Sequence, residues 1–351
     1  MPRRATSETG RRRLADAARR LGDLLPGDWR VTGTATTADT GELTVQAPDG
    51  TATTVYVIAA DRFEPRDLER WRVPGDGTSV VAASWVSPRT RELLRDLGAG
   101  FIDATGNVEL RLATPTLYLR TDGADRDPNP PPRKGPSLRG ARAWALLRTL
   151  IEVTPPYTAG DLSADLGLDD GYVSRSGPVL VDERLVERLP RGPVTAVSWE
   201  PLLRRLADSY SMLDANQTTT WIATAGPAQL LRDLADKRVG RWAVTASFVA
   251  SAIAPVAAPE IAVIYTEDPE RVAKTARLLP ATSGANVILA APYDPIVLRR
   301  GRMLADVPAV SVAQAAIDAL TGPGRMPSEG EALVAWMRRN ETSWRATKLA
   351  G

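Results

Sequence analysis

Residues 158–178 read TAGDLSADLGLDDGYVSRSGP, and this stretch decides the architecture around it. Thr158 stands just ahead of an apolar-periodic run, Ala159–Leu166, that predicts a short helix. Ala159, Leu162 and Leu166 recur on one face of that run and predict its buried side. Gly167 permits a tight left-handed turn, with Leu168 packed behind it. A further helix opens near Asp169 and Asp170 and carries Tyr172, Val173, Ser174 and Arg175. Ser176-Gly177-Pro178 is expected to shorten or kink that helix, because proline lacks a donor and clashes with the preceding turn.

The flanks extend the pattern. Upstream, Ser137 to Val153 predicts a helix with Leu138, Ala141, Ala145, Leu146 and Leu150 on its apolar face, ended by Pro155-Pro156. Downstream, Leu185–Leu189 and Val194–Trp199 alternate like two short strands, joined by a turn that contains Arg191. Three helices followed by a hairpin give the order of a winged helix-turn-helix over residues 137–200. In such a unit the third helix is presented to solvent and can enter the roughly 12 Å major groove of DNA. The candidate DNA-binding residues are therefore Thr158, Tyr172, Ser174, Arg175 and Ser176, with Arg191 at the wing tip. Arginine suits guanine edges and phosphates, and the hydroxyls suit phosphate oxygens. Asp161, Asp165, Asp169 and Asp170 oppose the arginines locally, so a helix-turn-helix used only for protein contact or dimerisation stays open.

Composition narrows the chemistry. The 351 residues hold 44 Lys plus Arg against 42 Asp plus Glu, which gives no overall electrostatic pointer to nucleic acid. Arg outnumbers Lys 40 to 4, a bias that a GC-rich coding sequence produces without any functional cause. There is no His and no Cys, which excludes a Ser-His-Asp triad, a thiol nucleophile, a disulfide and a Cys/His zinc site. No phosphate-loop lysine motif exists. No catalytic residue, metal site or cofactor is predicted. The first 25 residues are charged and lack the apolar segment of a signal peptide. A long uncharged run, Ala243 to Pro259, is broken by Pro255 and dominated by alanine. Buried protein is expected there rather than a membrane span, and the location expected for the chain is cytoplasmic.

The expected fold class is multi-domain α/β. Residues 1–124 form an N-terminal α/β domain, 125–136 a proline-rich linker, 137–200 the winged helix-turn-helix and 201–351 a C-terminal α/β domain. In the first domain, Arg11 to Leu25 is an amphipathic helix, with Leu14, Ala17, Ala18, Leu21 and Leu25 on one face. Strands are expected at Trp29–Thr37, Gly41–Gln46, Thr54–Ala59, Ser79–Ala83, Ala99–Asp103, Val108–Leu112 and Leu117–Leu119. Helices are expected at Pro65–Arg70 and from Ser87-Pro88 to Leu97. The N-terminal arginines Arg3, Arg4, Arg11, Arg12, Arg13, Arg19 and Arg20 form a second basic feature. In the last domain, strands are expected at Trp221–Ala225, Ile261–Tyr265 and Asn286–Ala290. Helices are expected at Leu202–Leu213, Pro227–Leu234, Pro269–Leu279, Val312–Leu320 and Ser328–Asn340, the last capped by Ser328, while Arg241–Ala254 is ambiguous. Asn286, Tyr293, Asp294, Gln314 and Asp318 mark a possible pocket or partner surface, and Arg299-Arg300-Gly301-Arg302 a basic loop.

Gly100-Phe-Ile-Asp-Ala-Thr-Gly-Asn107, the winged-helix segment after it, NVILAAPYD from Asn286 and VSVAQAAIDALTGPGRMPSEGEAL from Val310 together resemble bacterial regulators related to AbiEi-type antitoxins of viral-defence systems. The resemblance covers about Leu93 to Trp344. It implies a DNA-binding transcriptional regulator acting on double-stranded DNA; a homodimer is expected because such helix-turn-helix modules read paired half-sites. It also implies an alternative, an antitoxin or adaptor that binds a partner protein through its C-terminal domain. The N-terminal part is similar to restriction-endonuclease-like folds, but its central strand lacks the Glu-x-Lys that would hold Mg²⁺. Asp39, Glu42 and Asp103 are the acids that would have to meet in space for such chemistry. The simpler expectation for Asp103–Asn107 is a structural turn.

Overall fold

The computed structural model describes residues 3–37, 39–70, 78–130, 138, 140–190, 192–237 and 239–349, with backbone alone for residues 3–10 and 69–70. The chain is mixed α/β and divides into two compact units, one of residues 1–134 with 182–184, the other of residues 135–181 with 185–351.

The first unit is a seven-stranded sheet in sequential order. It runs α1 (Arg3–Leu24), β1 (Arg30–Ala35), β2 (Thr40–Gln46), β3 (Ala52–Ala59), β4 (Ser79–Ala83), α2 (Pro88–Asp96), β5 (Gly100–Asp103), β6 (Val108–Leu112) and β7 (Leu117–Thr121). The three central strands, β3, β4 and β5, are parallel, and the outer pairs are antiparallel. Every residue of β4 is buried, as expected for a parallel strand covered on both faces. Leu14, Ala17, Leu21 and Leu25 lay α1 on one face, over Val45, Val55, Val80, Ile102 and Leu110. On the other face, α2 and the 3₁₀ turn Pro65–Arg70 cover Phe63, Val81, Ala83 and Phe101. Ser87 caps α2 by accepting from the Thr90 N–H at 3.1 Å.

The Asp103–Asn107 turn is fully occupied by its own bonds. The Asp103 carboxylate accepts from the N–H groups of Val86, Thr105 and Asn107 at 2.8–3.1 Å and from the Thr105 hydroxyl at 2.7 Å. Buried Asn107 accepts from the Gly123 N–H at 2.9 Å, and Gly106 takes φ +107°. The supposed acid cluster does not form. Glu42 on β2 and Asp103 on β5 are three strand spacings apart, about 14 Å.

The second unit holds one continuous core that runs from Leu138 to Met337. Its first part is α3 (Ala141–Glu152), α4 (Ala159–Leu166), α5 (Asp170–Asp182), β8 (Val186–Arg188) and β9 (Val194–Val197). Then come α6 (Trp199–Ser209), α7 (Met212–Ala215), β10 (Gln217–Ile222), α8 (Pro227–Ala235), β11 (Trp242–Thr245), α9 (Ser247–Ile253), β12 (Ala262–Thr266), α10 (Pro269–Ala276), β13 (Leu279–Pro280), β14 (Val287–Ala291), β15 (Arg302–Leu304), β16 (Val307–Ala309), α11 (Val312–Leu320), α12 (Met326–Arg339) and α13 (Glu341–Trp344). The second sheet has the order β13-β10-β14-β12-β11-β16-β15, with β12–β14 and β11–β16 parallel. Residues Val312 to Ala319 of α11 are all buried, and their small side chains let neighbouring helices approach closely.

Several boundaries differ from expectation. The ambiguous Arg241–Ala254 splits into β11 and α9, hinged at Ala246 with φ +51° and ψ −125°. A periodic reading cannot anticipate that turn, because this region of backbone space normally calls for glycine. Helix α12 begins at Met326, so Ser328 lies inside its first turn and is not the cap. Helix α10 stops early because Arg277 adopts a left-handed conformation. The first 217–222 strand lies upstream of the expected Trp221–Ala225. Helix α3 starts at Ala141 rather than Ser137, which lies outside the described residues, as do linker residues 131–136. Among the described residues, no helix is long and apolar enough to cross a membrane.

Candidate nucleic-acid interface

The helix pair is built as its local code dictates. The Thr158 hydroxyl accepts from the Asp161 N–H at 3.1 Å, and the Asp161 carboxylate accepts from the Thr158 N–H at 2.7 Å, a reciprocal capping box. The Thr158 N–H and the Thr158 hydroxyl, both donating to the Asp161 carboxylate, hold its pKa below the ordinary value. Gly167 ends α4 at φ +63°, and Asp169 opens α5 by accepting from the Tyr172 N–H at 2.8 Å. Leu162, Val173, Leu180 and Val186 meet Leu146 and Leu150 of α3 around a cavity of about 30 Å³. The segment before α4 joins the hairpin, since the Val194 N–H donates to the Tyr157 carbonyl at 2.9 Å.

The predicted site residues separate into three groups. Thr158, Ser174 and Arg175 are exposed. The Arg175 guanidinium lies 3.8 Å from the Asp169 carboxylate, with two-thirds of its side chain still in solvent. Tyr172 and Ser176 do not match the expected exposed start of the helix. Ser176 is wholly buried, and its hydroxyl donates to the Tyr172 carbonyl at 2.9 Å. The Tyr172 ring is half-buried against the core, and its hydroxyl is enclosed, which raises its pKa, with the nearby Arg142 guanidinium partly opposing the rise. Arg191 lies outside the described residues.

Helix α5 runs through Pro178 to Asp182, so the expected interruption is absent. Pro178 sits on the exposed side, where water can reach the Ser174 carbonyl that the missing N–H would have served.

Sequence reading missed two arginines. Arg142 is exposed in the first turn of α3, close to the Tyr172 ring, and Arg188 of β8 folds across Gly177 to donate to the Gly192 carbonyl at 3.2 Å. A Cβ at position 177 would lie 2.7 Å from the Arg188 guanidinium, so the glycine makes room for this crossing. The signal for Arg142 was its place at the start of a helix whose next five residues, Ala143–Leu147, are apolar.

The basic loop after β14 is largely consumed internally. Arg299 and Arg300 donate to the buried Asp165 carboxylate at 3.3 and 3.0 Å, and only Arg302 of that group is exposed. On α1, Arg13 pairs with Asp61, Arg19 with Asp16, and Arg20 with the Ala104 carbonyl, while Arg11, Arg12 and Arg19 are exposed among the described side chains. The side chains of Arg3 and Arg4 lie outside the described residues. Between residues 137 and 200 there are seven arginines against nine acids.

The polar marks of the C-terminal part are mostly structural. Asn286 clamps Ala223 through both its backbone groups, at 2.8 and 3.0 Å, and Asp294 caps the Ile296 N–H at 2.8 Å. Asp318 is buried and accepts from Thr245, Gln314, Tyr265 and Tyr210 at 2.7–3.2 Å. Burial pushes its pKa up to about 6. Among the described residues, no group of three acids or other ligating side chains is placed to hold a metal ion. Comparison with protein-family models, with curated proteins and with solved structures finds no match.

Proposed function

We propose that this chain is a sequence-specific DNA-binding transcriptional regulator that acts as a homodimer through a winged helix-turn-helix formed by α3, α4, α5 and the β8–β9 hairpin. The observation that carries the reading is the capped, glycine-turned junction between α4 and α5. It buries Val173 and Leu180 and leaves Ser174 and Arg175 facing solvent on the same helix. An arginine on such a face reaches a guanine edge or a phosphate, and Ser174 and Thr158 supply short hydroxyls for phosphate oxygens. Arg142 flanks the same helix and adds a positive charge for the backbone. The order of elements and the resemblance to AbiEi-related regulators support the same conclusion.

The test is a salt-titrated gel shift of the full chain on its own promoter. Retention that weakens steeply with salt and exceeds that on unrelated DNA supports regulation. No retained complex at low salt overturns it.

One observation favours a second reading, an antitoxin or adaptor that binds a partner protein. Asp169 precedes α5 and Asp170 lies in its first turn, and the whole 137–200 segment has more acids than arginines, a balance that repels phosphate. Co-purification of a stoichiometric protein with no DNA retention would select this reading.

A further inference from the structure

Strand β1 ends the first sheet, and its outer edge has no partner among the described residues. Its ladder can be read from two sides. The Thr36 N–H donates to the Thr40 carbonyl, and the Ala59 N–H donates to the Asp39 carbonyl. Odd-numbered residues of β2 therefore bond toward β3, and even-numbered ones toward β1. With Arg30 opposite Gln46 and Thr34 opposite Glu42, the N–H and C=O groups of Val31, Gly33 and Ala35 point outward. All residues of β1 are exposed except half-buried Val31. Nothing that usually blunts an edge interrupts residues 31–35: they contain no charge, no proline and no bulge.

This edge is self-complementary. In an antiparallel pair centred on Gly33, Val31 faces Ala35 of the copy, Gly33 faces Gly33, and Thr32 faces Thr34. All three outward residues then find hydrogen-bonding partners, and the threonines form cross-strand pairs. A centre at Val31 or Ala35 would leave part of the set unpaired or run beyond the strand.

The helix above the edge fits the same arrangement. Gly33 lies under α1, where a Cβ would come 3.5 Å from the Ala18 methyl and 3.1 Å from Leu43. The flank of α1 on that side carries exposed Arg11 followed by Ala15, Ala18 and Gly22, while the opposite flank carries Arg13 and Arg20, which bond to Asp61 and Ala104. Gly22 and Ala15 are exposed, and a Cβ at Gly22 would meet nothing within 4 Å. Small residues there let the helix of a second copy approach.

We propose that β1 is a homodimer interface, in which two copies of this chain pair strand to strand about a twofold axis at Gly33. The proposal shares its twofold assembly with the regulator reading: a single-chain mass removes the dimer from both, whereas loss of DNA binding leaves this strand pairing untouched and a dimer that survives Thr32→Lys/Thr34→Lys leaves that reading untouched.

Light scattering of the full chain should give twice the 37.7 kDa mass. The Thr32→Lys/Thr34→Lys variant sets like charges opposite each other across the axis and should give the single-chain mass. The Thr32→Lys/Thr34→Glu variant sets opposite charges there and should restore the dimer. Because the chain has no cysteine, Thr32→Cys/Thr34→Cys reports the register directly: oxidation should cross-link two chains. Both positions are exposed, so the variants are expected to keep the circular dichroism of the parent. A single-chain mass for the unmodified protein overturns the proposal. So does a dimer that survives Thr32→Lys/Thr34→Lys or that fails to cross-link.

Discussion

The Asp165 carboxylate, on the last turn of α4, accepts a hydrogen bond from the Arg300 guanidinium at 3.0 Å, across 135 residues of sequence. Arg299 binds the same carboxylate and also donates to the Asp165 carbonyl at 2.9 Å. Beside them, fully buried Arg148 of α3 donates to Glu152 at 2.8 Å, to Gln314 at 2.9 Å and to the Arg299 carbonyl at 2.8 Å. The helix pair that carries Ser174 and Arg175 is thus fastened to the second sheet by ions rather than by apolar packing alone.

Removing one member of such a cluster leaves its partners buried without compensation. Asp165→Ala is expected to destabilise the second unit by about 3 kcal/mol, because Arg300 is too enclosed to rehydrate. Arg299→Ala should cost distinctly less, since about a third of that side chain already meets water. Urea unfolding of both variants checks the order. Equal losses would show that Arg299 carries the whole of the Asp165 pairing and Arg300 none of it.

Asp318 gives a pH dependence of definite sign. Its folded pKa of about 6 lies above the ordinary 3.8, because burial disfavours the charged form. The folded protein therefore holds this proton more tightly than the unfolded chain does. The stabilisation is complete below about pH 4 and is lost as pH rises through 6. Relative to Asp318→Asn, the unmodified protein should lose on the order of 2 to 3 kcal/mol between pH 4 and pH 7. Denaturant midpoints for both proteins across that range measure the difference, and parallel profiles would remove Asp318 as its source.

The α4–α5 junction was written locally, and so it was legible. A hydroxyl before an apolar-periodic run and a glycine after it specify both ends of α4 by contacts within a few residues. Thr158→Ala should therefore cost about 1 kcal/mol by loss of the capping box. Gly167→Ala should cost about 1 kcal/mol through its left-handed backbone. The two sites do not share a partner, so the double variant should lose close to the sum in thermal or urea unfolding.

What the sequence concealed was set by distance along the chain or by backbone strain. Arg299 and Arg300 look like a free basic loop until the fold brings Asp165 to them. The join of β11 and α9 turns on Ala246, whose left-handed φ no residue type announces. In the first unit, alternation located β2, β3 and β4 within a few residues, because these strands bury one side or both against α1 or α2. Ser176 is a different case. It stands three residues after Val173 and four before Leu180, so it falls on their face, and that helical spacing was available as a signal.

The opposite orientations of Arg175 and Ser176 yield the last prediction. These neighbours on one helix differ in exposure, so only one of them can touch DNA. Arg175→Ala should weaken specific promoter binding by about 1 to 3 kcal/mol and leave stability nearly unchanged, since its ion pair with Asp169 is an exposed one at 3.8 Å. Ser176→Ala removes a buried hydroxyl together with its bond to the Tyr172 carbonyl, a group that helix bonding also serves. It should change stability by less than about 1 kcal/mol and leave DNA affinity at the parental value. Quantitative gel shifts alongside urea unfolding separate the two effects. Loss of affinity in Ser176→Ala with none in Arg175→Ala would place the DNA-facing side of α5 elsewhere.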